Sequence, residues 1–346
     1  MSAHDAFDAW AEMKTFAISP EDRWKARKPP KLGLLGTWQG GIYSMTAPTG
    51  TGKTAVVLPL AISVATGKDI LNLGVEKPGR VLLCMGENPD ETVEKFYASL
   101  FAHGLTIADL KDRLSLLEGV HTTKQIALEM KQLGGNFDLV VMDTLSAFMG
   151  MSEGMELNNN SDVLIFINNL RSDFRGAGLG NPMTLLPAHP VKGAAEKSRM
   201  IPFGAGSILN QVDGNFCLLP AGGNRIKLEW VGKMRGNFDG SRHFELKKQS
   251  NNLLRDAEER HMPLPVAFPA SAELKPEHLK AMKLLIGNAQ SYSDYADAIR
   301  VKLDVGKSTA KSYVNFLKGE GLVEKIDPDN KFSNLRLSNK GMEATM

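Results

Sequence analysis

The sequence predicts an α/β protein with a mostly parallel sheet, followed by a small carboxyl-terminal module of helices and a hairpin. From Leu32 onward, short aliphatic and β-branched runs alternate with segments of helical length. This alternation is typical of a parallel sheet covered by helices on both faces. After a cluster of prolines the pattern changes to three amphipathic helices and then two short strands, which predicts a separate module.

Most of the predicted strands are continuous apolar runs, as expected of strands that are buried on both faces. Two later runs, NRIKLEWVG and RHFELKK, carry polar residues and predict antiparallel strands at the far edge of the sheet. The apolar runs are GIYSM, RVLLCM, RLSLLE, FDLVVMD, MTLLPA and GNFCLLP.

Helical periodicity predicts the segments that connect these strands. In the last of them, Val163, Phe166, Ile167 and Leu170 fall on one face. The predicted helices are Lys53 to Thr66, Asp90 to Ala102, Thr122 to Leu133 and Ser161 to Phe174.

A proline-rich segment marks the predicted domain boundary. Pro263, Pro265, Pro269 and Pro276 break regular structure and stiffen a connection. The expected organisation is therefore an amino-terminal arm, an α/β domain, a proline-rich linker and a winged-helix domain. Their ranges are 1–31, 32–250, 251–271 and 272–346.

The predicted arm is too short to form a core, although it carries Phe7, Trp10, Phe16 and Trp24. These aromatic side chains are expected either to pack on a neighbouring subunit or to fold back on the same chain. The arm also lacks the basic start and unbroken apolar stretch of a secretory signal, so we expect a cytoplasmic protein.

Composition excludes several classes of protein. Among 346 residues, 42% are hydrophobic and 23% charged, which is ordinary for a globular protein and argues against disordered or fibrous chains. The longest apolar run, near Val56 to Ala65, is about half of what a bilayer crossing needs. Cys84 and Cys217 lie in apolar runs and predict buried, inert thiols. A net charge of +2 argues neither for nor against nucleic acid.

The segment APTGTGKT, from Ala47 to Thr54, follows a predicted strand and opens a predicted helix. This is the context of a phosphate-binding loop, in which backbone amides and the helix terminus bind phosphates. Lys53 would reach the β and γ oxygens, and the Thr54 hydroxyl would bind magnesium. The predicted cofactors are therefore ATP and Mg²⁺. The predicted nucleotide-binding residues are Ala47, Pro48, Thr49, Gly50, Thr51, Gly52, Lys53, Thr54 and Ala55.

This loop has an alanine at its first position, where a glycine is usual. Gly50 and Gly52 remain at the positions where the backbone must approach phosphate closely. Ala47 lies at the entry of the loop, where a methyl group is compatible if φ stays negative.

Asp143 ends an apolar predicted strand and is a candidate to hold Mg²⁺ through water. The alternative is an aspartate that only caps a helix. Thr144 follows at the position where many ATPases of the AAA+ type carry their catalytic glutamate, so the base must come from elsewhere. Glu87 stands just past the strand that follows the phosphate loop and is the candidate to polarise the attacking water. The alternative is that Glu87 only stabilises the start of a helix through the helix dipole.

The order of these elements resembles a known family. A phosphate loop, strand-end Glu87, strand-end Asp143 and a later strand ending at His189 resemble RecA-like ATPases, most closely the replicative helicases of the RepA type from plasmids and phages. The resemblance covers about Leu32 to Lys248. It implies a RecA-like core and a homo-oligomeric ring or filament, which we expect to be a hexamer, that hydrolyses ATP while moving along single-stranded DNA.

The resemblance also implies roles for later residues. His189 would sense the γ-phosphate, unless it only caps its strand. Lys233 and Arg235, two residues apart on a predicted strand edge, would complete the ATP site of a neighbouring subunit, as catalytic arginines do in other NTPases. The alternative is a pair of exposed basic residues near a turn.

Two groups of basic residues are candidates for contact with DNA. Lys192, Lys197 and Arg199 lie in a loop rich in glycine and alanine, which suits a mobile segment on a phosphate backbone but is equally consistent with solvated surface charge. Lys307 and Lys311 lie off the apolar stripe of the third helix of the module. That module has only twelve basic against ten acidic residues, so it could dock replication proteins instead of DNA.

Two functions from other classes remain open at this stage. One is a regulatory switch that binds ATP and uses the winged helix to bind a promoter or a protein. The other is a recombination or repair ATPase that forms filaments. Stimulation of ATP hydrolysis by single-stranded DNA separates the first of these from a helicase, and assays of unwinding and strand pairing separate the second.

Overall fold

The chain divides into two units, residues 1–31 and 32–346. In the first unit the described part is one helix, α1 (Pro20–Lys25), capped by Ser19, whose Oγ accepts from the amide of Asp22 at 3.0 Å. The predicted aromatic contacts of the arm lie outside what the structure describes. The structure is a computed structural model, and it describes residues 19–25, 36–150, 155–176, 178–191, 197–204, 206–236, 238, 241–251, 254–256, 258–270, 274–327, 330 and 332–345.

The second unit contains a nine-stranded sheet in the order β3-β2-β4-β5-β1-β6-β7-β8-β9. The first six strands in this order are parallel to their neighbours, and the remaining pairings are antiparallel. This confirms the mostly parallel sheet and the added antiparallel strands. The strands are β1 Ile42–Thr46, β2 Val81–Met85, β3 Leu114–Glu118, β4 Leu139–Asp143, β5 Met183–Ala188, β6 Gly214–Pro220, β7 Arg225–Met234, β8 Arg242–Gln249 and β9 Leu264–Ala270.

Helices connect the parallel strands, and the four that the sequence predicted are present within two residues of their expected ends. Three short helices of this region were not predicted, namely α4 (Ile107–Leu110), α6 (Leu145–Gly150) and α8 (Gly206–Gln211). The described helices of this region are α2 Lys53–Thr66, α3 Pro89–Ala102, α4 Ile107–Leu110, α5 Thr123–Gln132, α6 Leu145–Gly150, α7 Asn160–Phe174 and α8 Gly206–Gln211. None of the helices in the described ranges is long and apolar enough to cross a membrane.

Two apolar cores lie on the two faces of the sheet because alternate residues of each strand point to opposite sides. Tyr43 and Met45 pack with α2 and α3, whereas Ile42 packs on the other side with α5 and α7. The central strands are buried along their whole length, but β3 at the edge is only partly covered, so the expectation of burial on both faces was wrong for that strand. Both cysteines are buried, and burial raises the pKa of the Cys217 thiol to about 11.

The predicted proline-rich linker contains a strand. We expected the prolines of 251–271 to exclude regular structure, but β9 pairs with β8 over seven residues, including Pro265 and Pro269. The prediction was wrong because β9 is the last strand of the sheet. The two prolines are four residues apart, on the same side of the strand, and an edge strand tolerates a residue without an amide proton. The position of the domain boundary itself stays a prediction.

The carboxyl-terminal elements follow the predicted order of three helices and a hairpin. They enclose an apolar cluster of their own, centred on Tyr295, Ile299, Val314 and Leu317. A further helix, α12, was not predicted, and the winged-helix assignment stays a prediction. The elements are α9 Pro276–Lys283, α10 Tyr292–Leu303, α11 Lys307–Gly319, β10 Val323–Lys325, β11 Leu335–Leu337 and α12 Asn339–Thr345.

Candidate functional site

The phosphate loop (Ala47–Thr54) connects the end of β1 to the start of α2. Gly50 and Gly52 have φ angles of 78° and 96°, which strain any residue that carries a Cβ. No side chain caps the first turn of α2, so its amides remain available to an anion. Ala47 is not among the residues with positive φ in the described part of the chain, so its methyl group is compatible with the loop, as expected.

Lys53 and Asp143 are buried charged side chains, each 9% exposed. Within the described residues, Lys53 Nζ and Asp143 Oδ1 have no hydrogen-bond partner. Burial lowers the pKa of Lys53, although Asp143 and Glu87 act in the opposite direction. Burial also raises the pKa of Asp143, against the opposing charge of Lys53.

Buried polar atoms without partners are costly, and these two are an ammonium and a carboxylate. An ammonium suits phosphate oxygens, and a carboxylate suits Mg²⁺. Thr54, the second residue of α2, would supply the other oxygen ligand. The residues of the site therefore fit a magnesium nucleotide.

Glu87 and Asp143 come from neighbouring parallel strands. Met85 of β2 is in register with Asp143 of β4, so Glu87 follows its strand at the same edge of the sheet. Thr144 Oγ1 donates a hydrogen bond of 2.6 Å to Glu87 Oε1, and Ser146 Oγ lies 2.8 Å from the same hydroxyl. Thr144 therefore orients the carboxylate of Glu87.

His189 directly follows β5, which lies between β4 and β1. Its Nδ1 is 3.4 Å from Thr49 Oγ1 in the phosphate loop. Burial lowers the pKa of His189, and the charge of Lys53 lowers it further. The imidazole is therefore neutral at pH 7 and able both to donate and to accept a hydrogen bond.

One cavity of about 260 Å³ brings these residues together. Of the predicted nucleotide-binding residues, Ala47 and Thr51 do not line it. Ala47 is instead buried, and its amide donates to Ala188 O. The described lining residues are Pro48, Thr49, Gly50, Gly52, Lys53, Thr54, Ala55, Glu87, Asn88, Glu91, Thr92, Lys95, Asp143, Thr144, His189 and Pro265.

Sequence reasoning missed the part of this cavity that α3 and β9 provide. Glu91 and Lys95 are four residues apart on α3, a spacing that is common on exposed helices and so gave no signal. Pro265 belongs to the segment that we had expected to be a linker. Leu246 of β8 also reaches the phosphate loop, because a Cβ on Gly52 would lie 2.6 Å from its Cδ1.

The family model described as AAA domain matches residues 12–193. This range is more than half of the chain and includes the phosphate loop, Glu87, Asp143 and His189. The chain belongs to the AAA domain family. It is accordingly a P-loop ATPase.

Among solved structures, the ATPase domain of G40P is similar to this AAA domain protein, with a TM-score of 0.49 and 11% sequence identity over 76% of this chain and 99% of that chain. No curated protein matches the sequence.

Lys233 and Arg235 lie outside the cavity of the AAA domain. β6 runs parallel to β1, so its end at Pro220 is on the side of the phosphate loop, whereas Met234 is in register with Gly214 at the opposite end. Arg235 Nη1 is 2.9 Å from Asp213 Oδ1, and its side chain is half exposed. Lys233 Nζ donates to Asn210 O at 3.1 Å. Neither side chain lines the cavity.

The predicted DNA loop is only partly described, because Lys192 lies outside the described residues. Lys197 and Arg199 are exposed on a short 3-10 helix, and Lys197 Nζ forms an ion pair of 2.5 Å with Glu229 Oε2. Beyond it, the amide of Phe203 donates to the carbonyl of His189 at 2.7 Å. The loop therefore begins and ends beside His189.

A buried polar group also joins this loop to the central strands. Asn215 Oδ1 accepts from Ser44 at 2.8 Å and from Thr46 at 2.7 Å, and Asn215 Nδ2 donates to Met200 O at 2.8 Å. Thr46 is the last residue before the phosphate loop, so Asn215 connects that loop with the basic loop.

The two basic residues predicted on the third helix of the module are both exposed. Lys307 and Lys311 lie in the first half of α11. The opposite end of this helix is followed by Glu320, whose Oε1 accepts from Ser241 Oγ at 2.6 Å and lies 2.9 Å from His243 Nε2. The contact with β8 is therefore at the carboxyl end of α11, whereas Lys307 and Lys311 lie near its amino end.

Proposed function

We propose that this P-loop ATPase is a DNA helicase, in which Mg²⁺-dependent hydrolysis of ATP drives movement along single-stranded DNA and unwinding of duplexes. Its role would be that of a replicative helicase of a plasmid or phage. The observation that carries the proposal is the convergence of Lys53, Glu87, Asp143 and His189 on one cavity at the carboxyl edge of the parallel strands.

The residues of the cavity suit hydrolysis in the following way. Lys53 and the loop amides bind the β and γ phosphates, and Thr54 and Asp143 would hold Mg²⁺, which would supply positive charge to the phosphates. Glu87, held by Thr144, orients a water and takes up its proton as the water oxygen bonds to the γ phosphorus. The bond from this phosphorus to the β–γ bridging oxygen breaks, which releases ADP and phosphate.

Contacts around His189 support coupling of this reaction to DNA. Neutral His189 can hydrogen-bond the γ-phosphate, and its carbonyl accepts from Phe203 at the end of the basic loop. Asn215 holds the same loop through Met200. Loss of the γ-phosphate would thereby be transmitted to Lys192, Lys197 and Arg199, which are the proposed contacts to the DNA backbone.

The position of Lys233 and Arg235 supports a homo-oligomer. Both lie at the end of the sheet away from their own phosphate loop, so they would complete the ATP site of the next subunit. A repeated head-to-tail interface forms a ring when the rotation between neighbours closes and an open filament when it does not, and we propose a hexameric ring. Lys307 and Lys311 would contact DNA from a winged helix, or that module would dock replication proteins.

ATP hydrolysis assayed with and without single-stranded DNA tests this function. We expect stimulation of the wild-type protein, and ATP binding without turnover in the Glu87→Gln variant. Unwinding of a forked duplex should depend on ATP. Hydrolysis that DNA does not stimulate would instead support the regulatory switch, and strand pairing without unwinding would support a recombination ATPase.

A further inference from the structure

Lys95 belongs to the nucleotide cavity, although no sequence motif includes it. It lies on α3, eight residues after Glu87 in the sequence, and lines the same cavity as Lys53, Asp143 and His189. Its side chain is 21% exposed. Lys53 and Lys95 are the two lysines among the described lining residues, against three carboxylates.

The partner of Lys95 in the structure is weakly bound. Lys95 Nζ lies 2.6 Å from Glu91 Oε1, one helical turn away, and the Glu91 side chain is half exposed. A pair of this spacing whose carboxylate is half exposed contributes little to stability. A phosphate group carries more charge and more acceptor oxygens than one carboxylate, so it would compete for the ammonium group.

Lys95 lines the cavity together with Lys53, Glu87 and Asp143, the residues at which phosphate and metal are expected. A magnesium-bound triphosphate keeps a net negative charge, and further charge moves onto the γ-phosphate oxygens and the leaving oxygen during hydrolysis. A second lysine in this cavity can therefore stabilise the charge that develops.

We propose that Lys95 is a further catalytic residue, which leaves Glu91 when ATP binds and contacts the terminal phosphate from within the same subunit. Lys95 forms no covalent bond, and its ammonium stabilises the γ-phosphate oxygens while Glu87 takes up the proton of water. The proposal rests on the ATP hydrolysis of the proposed function but not on the helicase activity. Glu91 would hold the lysine away while the site contains ADP or no nucleotide.

Three variants of the full-length protein test this role. Lys95→Met removes the charge and keeps most of the apolar stem, Glu91→Gln releases Lys95 from its partner, and Lys68→Met is the matched control. Lys68 pairs with Asp109 at 3.0 Å, on residues that do not line the nucleotide cavity. Hydrolysis rate, affinity for ATP, affinity for ADP and melting temperature are measured for each.

For Lys95→Met we expect kcat to fall about 10- to 100-fold and the preference for ATP over ADP to fall at least fivefold. Lys68→Met should keep kcat within about twofold of the wild type, and Glu91→Gln should raise the affinity for ATP, because Lys95 no longer has to leave a carboxylate. A Lys95→Met protein with kcat and ATP preference within twofold of wild type would overturn the proposal. So would an equal loss of affinity for ATP and ADP, because a merely structural role would not distinguish the two nucleotides.

A failure of the proposed function can be distinguished from a failure of the proposed role of Lys95. If the wild-type protein binds ATP but hydrolyses none, with or without single-stranded DNA, the proposed function fails. The ratio of ATP to ADP affinity in Lys95→Met would still test whether this lysine contacts the terminal phosphate.

Discussion

Thr144 shows how one residue changes the arrangement of a hydrolytic site. It stands directly after Asp143, where a catalytic glutamate is found in many ATPases of the AAA+ type, and it is 2% exposed. A hydroxyl has one proton, and here that proton is donated to Glu87. The hydroxyl can therefore only accept from Ser146. Thr144 therefore positions Glu87, the proposed base, which follows the neighbouring strand.

The first prediction concerns this hydroxyl. Thr144→Val keeps the shape of the side chain and leaves Glu87 free to rotate, so kcat should fall about tenfold while ATP affinity stays within about twofold. Thr144→Ser keeps the hydroxyl and should restore most of the rate. Steady-state hydrolysis and nucleotide titration measure both quantities. Full activity in Thr144→Val would show that Glu87 does not need this contact.

The second prediction concerns Lys197 and its partner Glu229. In the structure its ammonium group pairs with Glu229, which also pairs with Lys227. If Lys197 binds the DNA backbone, Glu229 competes with phosphate for it. Glu229→Gln should therefore tighten binding of single-stranded DNA about threefold or more at low salt, as measured by fluorescence anisotropy. Unchanged affinity at every salt concentration would argue against a DNA contact by Lys197.

Among the elements, β8 connects several parts of the molecule. It pairs with β7 and β9, and its Leu246 lies against Gly52 of the phosphate loop. At its start, Ser241 and His243 hold Glu320, which follows α11. Burial alone would raise the pKa of Glu320, but hydrogen bonds from His243 and Ser241, together with the charge of Lys227, hold it below its usual value.

The third prediction follows from the sign of this shift. Because the carboxyl pKa is lowered in the folded state, Glu320 contributes stability above its ordinary pKa of 4.5, and the contribution disappears as the pH falls through the lowered value. Glu320→Gln should cost about 1–3 kcal/mol at pH 7, and the difference in melting temperature from wild type should shrink below about pH 4.5.

A control for this variant is available in the same module. Glu324 pairs with Arg336 at 2.8 Å, but both side chains are exposed. Glu324→Gln should therefore cost no more than about 1 kcal/mol at any pH. An equal loss in the free energy of unfolding for both variants would contradict a stabilising contact between Glu320 and β8.

At the scale of the whole molecule, the nucleotide site and the proposed catalytic pair Lys233 and Arg235 lie at opposite ends of the sheet. One subunit cannot bring them together. The proposed assembly explains this separation, because a head-to-tail neighbour would present its Arg235 to the triphosphate.

The fourth prediction tests that assembly. Lys53→Ala and Arg235→Ala should each abolish most hydrolysis. Subunits mixed at random in equal amounts should regain activity at about a quarter of the interfaces, where an intact phosphate loop meets an intact arginine. Hydrolysis after mixing measures the recovery, and size-exclusion chromatography confirms mixed assembly. No recovery in confirmed mixed rings would contradict a role across the interface.

Sequence by itself determined the sheet, its covering helices and the phosphate loop, because these follow from local patterns. Continuous apolar runs specify central strands, and two glycines before Lys53 specify a turn that only they adopt without strain. The placement of Glu87 and Asp143 at strand ends could be predicted, because parallel strands end at one edge of the sheet.

Only the tertiary structure decided which other residues join the site. Pro265 enters the cavity because β9 packs against α2 and α3, Lys95 because α3 borders the same cavity as the phosphate loop, and Glu320 is buried because α11 ends against β8. Each of these contacts joins segments that are far apart in the chain or on different faces of the fold. No spacing within a single segment indicates such contacts, since they depend on how whole elements pack.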